Sequence, residues 1–334
     1  MQIPGYRTFP MGSILQFVGT GERRVIGGKT VELVMKDPAI SVVAFPEQRR
    51  VPIVERVVIW LARGRGASVT ALARMLPEPM AALAAGILLG VSGQLPHDFY
   101  QALVATGTVH VVAASGYNVM LVAASLIALG IRLWGRRLGT LAGIAGIWLY
   151  VGIAGGSASV VRAAVMGSLT LGASLFGRPS EAKWLLWLTI WIVGMWQPLM
   201  LVSIGFQLSV AATAGILYLT PYLTLDSRDR DGQPTGWVRW GQLLAQFWNE
   251  FGAPTAAATL MTMPLILWYF GSFSPWSIAV NLLILPIISW TMLLTGLALV
   301  AAWTGSGLVM SVLGALAYVP LWYLVAVVEF GAKL

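Results

Sequence analysis

The chain has 334 residues, of which 57% are hydrophobic and 10% charged, with a mean hydropathy of +0.79 and a net charge of +8. Ordinary soluble domains carry about 25% charged residues, so the composition specifies a polytopic membrane protein. Cysteine is absent and the two histidines are His97 and His110, which excludes a disulfide framework, a thiol nucleophile, a cysteine-ligated metal and a histidine-rich metallohydrolase centre on these residues.

Residues 1–79 hold 11 of the 21 Lys and Arg and 6 of the 13 acidic residues, a balance of +5. Such a basic segment reads either as a solvated face at the membrane surface or as a contact for lipid headgroups or a polyanion. The N-terminus (MQIPGYRTFPMG) lacks a basic stretch followed by an apolar core, so no signal peptide is expected. Residues 1–46 mix β-branched residues with Gly-containing turns and predict two to four short strands, with GERR and IGGK as turn signals. Residues 51–76 carry apolar positions at spacings of three and four, with Glu55, Arg56, Arg63, Arg65 and Arg74 on the other face. This predicts an amphipathic helix lying in the membrane plane, split at Gly64 and Gly66. Pro77-Glu78-Pro79 is a break. The apolar stretch that follows, ending before Pro96, is about 15 residues long against the ~20 needed to span, which suits a re-entrant or interfacial segment.

Longer apolar runs follow. Phe99–Ile131 predicts a crossing with a break near Gly116. Leu138–Ala154, Ser157–Phe176, Trp184–Val202 and Gly205–Leu223 predict further spans. Asp226–Gln246 reads as a polar loop. The uncharged run Phe251–Val328, punctuated by Pro264, Pro275, Pro286 and Pro320, divides into about three spans. The expected fold is an all-α polytopic membrane protein of about eight transmembrane helices plus re-entrant or interfacial segments. A small β-rich segment (1–46) and an amphipathic helix (47–79) precede the membrane domain (80–334). Basic turns at Arg132, Arg136 and Arg137, at Arg178 and Lys183, and at Arg228, Arg230 and Arg239 fall on one side, which the positive-inside rule makes cytoplasmic. A re-entrant segment at 81–95 then leaves residues 1–79 and the C-terminus on the opposite side. Trp134, Trp148, Trp184, Trp187, Trp191 and Trp196 near span ends suit an interfacial aromatic belt, with base stacking as the alternative.

Several polar residues interrupt the apolar runs. HVVAASGYNVML places His110, Ser115, Tyr117 and Asn118 at membrane depth, beside the helix-weakening Gly107 and Gly116. A polar group there is costly without a protein or water partner, so the segment reads as the lining of an internal cavity or path. His110 and Ser115 are compatible with a nucleophile pair, or His110 with a structural bond to a carbonyl. The run contains no Asp or Glu to orient the imidazole, and there is no G-x-S-x-G elbow. Arg162 lies a few residues inside another span, where a central Arg costs about 2.5–3.5 kcal/mol. It either snorkels to the interface or faces a wet path and meets phosphates. Gln207, Ser209 and Asn281 read singly as interhelical packing residues.

Taken together, five stretches resemble the ComEC-type competence proteins, the inner-membrane DNA channel of natural transformation. They are PEPMAALAAGILLG (77–90), HVVAASGYNVMLV (110–122), GGSASVVRAAVMG (155–167), GFQLSVAATAGIL (205–217) and PWSIAVNLLILP (275–286). The second resembles the family's His-(x)4-Ser-Gly-x-(His/Asn)-Val signature. The resemblance covers roughly 75–330, and residues 1–46 are similar to the end of the family's OB-like region. It implies passage of single-stranded DNA, with His110, Ser115, Gly116 and Asn118 marking a helix-breaking element at the pathway. Arg162 is then the cation for phosphates, and Gln207 and Asn281 are supporting polar residues. Asn118 stands where many members have His. The metallo-β-lactamase-like domain of many members has no counterpart here, so no nuclease, catalytic residue, metal or cofactor is expected. The implied partners are single-stranded DNA, the lipid bilayer, a separate DNA receptor and a cytoplasmic ATP-driven motor, because no Walker motif is present. The resemblance also admits a homo-oligomer. The competing readings are a small-molecule or lipid-precursor transporter, which predicts an inverted repeat not evident here, and an intramembrane hydrolase using His110 and Ser115.

Overall fold

The computed structural model describes residues 14–26, 30–44, 53–91, 93, 95–112, 116–178, 180–225, 236–271, 273–304 and 307–333. The chain divides into two compact units, Met1–Ala62 and Arg63–Leu334. In the first, β1 (Ile14–Ile26) and β2 (Thr30–Ala44) pair antiparallel, from Ile14 opposite Ala44 to Ile26 opposite Thr30. GERR is not a turn: Glu22, Arg23 and Arg24 lie inside β1 opposite Val34, Leu33 and Glu32. Val25-Ile26 beyond it and Val31-Glu32-Leu33-Val34 across from it favour continued pairing over a bend. The Gly27-Gly28-Lys29 part of IGGK lies outside the described residues.

The second unit is an all-α multi-pass membrane fold. Helix α1 (Ile53–Met75), which belongs to this unit from Arg63 onward, is continuous through Gly64 and Gly66 rather than split there. Its apolar stripe packs into the core at Leu72, with Val69 and Met75 against it, and this outweighs the ~1 kcal/mol helix penalty of each glycine. The Ser68 and Thr70 hydroxyls also bond back to the carbonyls of Gly64 and Gly66 at 2.8 and 3.0 Å. Helix α2 (Met80–Leu89) is buried on every side, Leu88 alone being partly open. At ~1.5 Å per residue it is about 15 Å long, half of a ~30 Å hydrocarbon core.

The expected long span from Phe99 breaks earlier than Gly116. Helix α3 (His97–Ala105) closes at Gly107, which has φ +67 and donates to the Val104 carbonyl, while Thr108 donates to Leu103. This pairing is the left-handed closure that glycine permits. A single turn, α4 (Val109–Val112), follows, and Gly116 is the first residue of α5 (Gly116–Ile153).

Helix α5 is two antiparallel limbs, not one rod. Gly135 sits at φ 79, ψ 173, outside the helical region. Glycines let the limbs touch: Gly130 meets Gly139, and β-carbons on Gly143 or Gly146 would overlap Ile127 or Leu126. These contacts step outward on both sides of Gly135. Each limb (116–134 and 136–153) is about 27 Å long at ~1.5 Å per residue, close to the membrane core. The turn between them carries Arg132, Arg136 and Arg137, all exposed.

Helix α6 (Ala158–Leu175) follows, then α7 (Ala182–Trp196), α8 (Pro198–Leu201), α9 (Ile204–Tyr218) and α10 (Thr220–Leu223). The stretches 184–202 and 205–223 are therefore each a 15-residue helix plus a single turn. Pro198 forces Gln197 out of the helical region, to φ −145, ψ 81. Part of the expected polar loop is helix α11 (Gly236–Phe247), which continues through a π turn (Trp248–Gly252) into α12 (Ala253–Phe270). Helices α13 (Ser277–Thr304) and α14 (Gly307–Gly331) complete the fold, with Pro286 and Pro320 in their interiors.

Among the described residues, five helical stretches are long and apolar enough to cross a membrane: Asn118–Ile153, Ala158–Leu175, Trp240–Phe270, Ser277–Trp303 and Val309–Gly331. Two cores organise them. One surrounds α2, with Leu72, Leu103, Ile284 and Leu321. The other joins α5, α6, α7 and α9 through Val119, Ile147, Val160, Val193 and Phe206. Trp134, Trp184, Trp187, Trp191 and Trp196 stand well exposed, and Trp148 less so.

Candidate site around Arg162

Arg162 falls in the second turn of α6 and does not snorkel; it is 7% exposed. Its Nε donates to the Ser209 hydroxyl of α9 at 2.8 Å, and Ser209 lies 3.0 Å from the Ser159 hydroxyl, one turn before Arg162. Nη1 is 3.9 Å from the Met166 sulfur, a weak acceptor. Nη2 lies against Gly116: a β-carbon there would stand 3.1 Å from Nη2 and 3.2 Å from the Ala163 methyl. Gly116 is thus a close-approach glycine at the start of α5. Among the described residues Arg162 makes no ion pair, and the sequence explains why. Between Asp98 and Asp226, a stretch that holds α4 through α9, the lone acidic residue is Glu181, just before α7.

Two residues beyond Gly116, Asn118 donates from Nδ2 to the Ile87 carbonyl of α2 at 2.7 Å. At its end α2 turns through Gly90 (φ 67), and Val91 bonds Ala85, so Val91 does not take up the Ile87 carbonyl. Asn118 supplies that donor. Arg65 of α1 supplies the next: Nη2 donates to the Gly90 carbonyl at 3.1 Å. Arg65 also presses on the turn before α6, where a β-carbon on Gly155 (φ +80) would be 2.9 Å from its Nη1. The sequence reading put Arg65 on the solvated face of an interfacial helix. The structure corrects this, because the end of a half-length helix offers carbonyls that a long cation can reach. A close approach also joins Gly86 of α2 to Val112 of α4, since a β-carbon on Gly86 would overlap Val112. The first four sequence motifs therefore meet: 77–90 with 110–122 through Asn118 and Gly86, and 110–122 with 155–167 and 205–217 through Arg162.

The family model described as Competence protein matches residues 87–334. The chain belongs to the competence protein family. This competence protein is also 25% identical, over 213 residues, to ComE operon protein 3 of Bacillus subtilis (strain 168); the match covers 64% of this chain and 25% of that protein. The chain thus spans about a quarter of that relative's length. No solved structure matches it. The resemblance of the five motifs to ComEC-type proteins is in line with both findings. Arg65 lies outside the matched residues.

The remaining sequence-predicted residues of this competence protein do not gather at Arg162. Gln207, on α9, accepts from the Tyr269 hydroxyl of α12 at 2.7 Å and donates to the Leu201 carbonyl at 3.3 Å, so it ties α9 to α12 and to α8. Asn281 is buried on α13, one turn after Ser277, and its Oδ1 and the Ser277 hydroxyl have no partner among the described residues. Ser277 abuts Gly107, so this pair belongs to the α3–α13 contact. His110 is exposed on α4. Ser115 lies outside the described residues, as does any pairing it makes with His110.

Proposed function

We propose that this chain forms an inner-membrane channel through which single-stranded DNA enters during natural transformation. The observation that carries this reading is Arg162, a guanidinium buried on an apolar helix that has, among the described residues, a hydroxyl and a thioether for partners and no carboxylate. A buried cation without a countercharge is costly. A phosphodiester backbone brings one negative charge per nucleotide, and a path for it needs polar, small-residue walls inside the bundle. Ser159, Ser209 and Gly116 provide such walls around Arg162.

The antiparallel order of the helices puts the 132–137 turn and the Arg178–Lys183 turn on one side, which favours a cytoplasmic location for both. In this reading the chain conducts and does not catalyse. Strand degradation, DNA capture and ATP-driven pulling fall to other proteins, and the channel works alone or as a homo-oligomer. The test is deletion of this gene in its source organism or a competent surrogate, followed by restoration. Deletion is expected to abolish transformation while labelled DNA still reaches the cell surface. Unchanged transformation would overturn the reading and put a small-molecule transporter in its place.

A further inference from the structure

We propose that a groove between α1 and α14 holds an anionic phospholipid, with its phosphate at Arg74. The groove has a volume of about 390 Å³ and is lined by Arg74 and Met75 of α1 and by Met310, Ser311, Gly314, Ala315 and Tyr318 of α14. The α14 residues recur at the spacing of one helical face. Gly314 faces α1 across the groove: a β-carbon there would be 3.7 Å from the Met75 Cβ, in ordinary contact. The groove is therefore a shallow apolar trough with a single cation at its rim.

Charge and surroundings favour a lipid as the occupant. Arg74 is exposed in the last turn of α1 and makes no ion pair among the described residues. The nearest carboxylate in sequence, Glu78, accepts from the Ala82 backbone N–H at 3.3 Å at the start of α2. From Phe251 to Val328 there is no acidic residue. Arg74 is thus a cation without a countercharge among the described residues, and an anion is the ligand its charge complements. Beside the groove, Val312, Leu316 and Val319 of α14 are exposed apolar residues on a helix that can cross the membrane, so the trough opens towards lipid chains. One cation over an apolar floor of Met75, Met310 and Ala315 suits one phosphate with an acyl chain. A nucleic-acid strand needs a row of cations or stacking rings.

The test uses the purified full chain in nanodiscs of phosphatidylcholine doped with phosphatidylglycerol, followed by native mass spectrometry of the lipid retained. Wild type is expected to keep phosphatidylglycerol in preference to phosphatidylcholine. Arg74→Ala should weaken retention about tenfold, the scale of one charge-assisted contact, and Arg74→Lys should keep most of it. Ala315→Trp, at an exposed position, should empty the groove with Arg74 intact, and Arg137→Ala in the 132–137 turn should change nothing. Retention that is equal in wild type, Arg74→Ala and Ala315→Trp would overturn the proposal, as would no preference in wild type. Arg74-dependent displacement of the lipid by a short single-stranded oligonucleotide would also overturn it and assign the groove to DNA.

Discussion

Around α2, two backbone carbonyls at the end of the short helix are met by donors from elsewhere: Asn118 bonds Ile87 and Arg65 bonds Gly90. Around Arg162 the balance is reversed. A guanidinium with five donor hydrogens meets, among the described residues, one hydroxyl and one sulfur. Both regions lie in a membrane domain where unmet polar groups are costly. The first is closed, and its polar contacts serve the fold. The second is buried as well, and among the described residues it holds a cation without a carboxylate; under the proposed function a passing phosphate supplies that countercharge. Under the proposed function, the comparison separates residues whose loss should lower stability from one whose loss should lower transformation.

That separation can be broken at several points. Gly86→Leu should have the largest effect, because the new side chain meets Val112; about 3 kcal/mol of stability should be lost. Unfolding of the purified protein in SDS or on heating measures this. Gly172→Leu on α6 is the control, with nothing within 4 Å of its β-carbon. Asn118→Ala strands the Ile87 carbonyl and should cost about 2 kcal/mol in the same assay. If that variant were as stable as wild type, α2 would not depend on its donors. Arg65→Ala should cost about 1 kcal/mol, because Gly90 lies at a helix end where water can partly substitute. Gln207→Leu, which removes the bond from Tyr269, should cost about 0.5 kcal/mol and leave transformation within about threefold of wild type.

The sequence shows these regions unevenly. The α6 boundaries follow from Gly155-Gly156-Ser157 before the helix and Gly177 after it, and the short α2 from Pro79 and Pro96. The five motifs were readable as strings, and the meeting of three of them at Arg162 was not, because contacts between α6 and α9 leave no periodic trace. Arg65 was misplaced for a related reason. A charge opposite an apolar stripe looks solvated unless the end of another helix is known to lie beneath it. Gly107 and Gly116 both read as helix-weakening, and Thr106-Gly107-Thr108 has the residues of a helix closure, but sequence alone does not say which of the two glycines closes α3. The doubling of α5 was foreshadowed by the basic turn at Trp134-Gly135-Arg136. The contacts between its limbs depend on Gly130, Gly139, Gly143 and Gly146, whose spacing alone does not name a partner. Ser115 lies outside the described residues, so its expected place beside His110 stands as a reading of the sequence.

The most direct measurement pairs Arg162→Met with Arg162→Lys, each expressed at wild-type levels, scoring transformation in cells and unfolding of the purified protein. A cation that serves a phosphate predicts that Arg162→Met is as stable as wild type or up to about 2 kcal/mol more stable, yet transforms at least tenfold less well, with Arg162→Lys in between. Wild-type transformation by Arg162→Met, or a fall in transformation matched by a fall in stability, would contradict it and make Arg162 a packing residue.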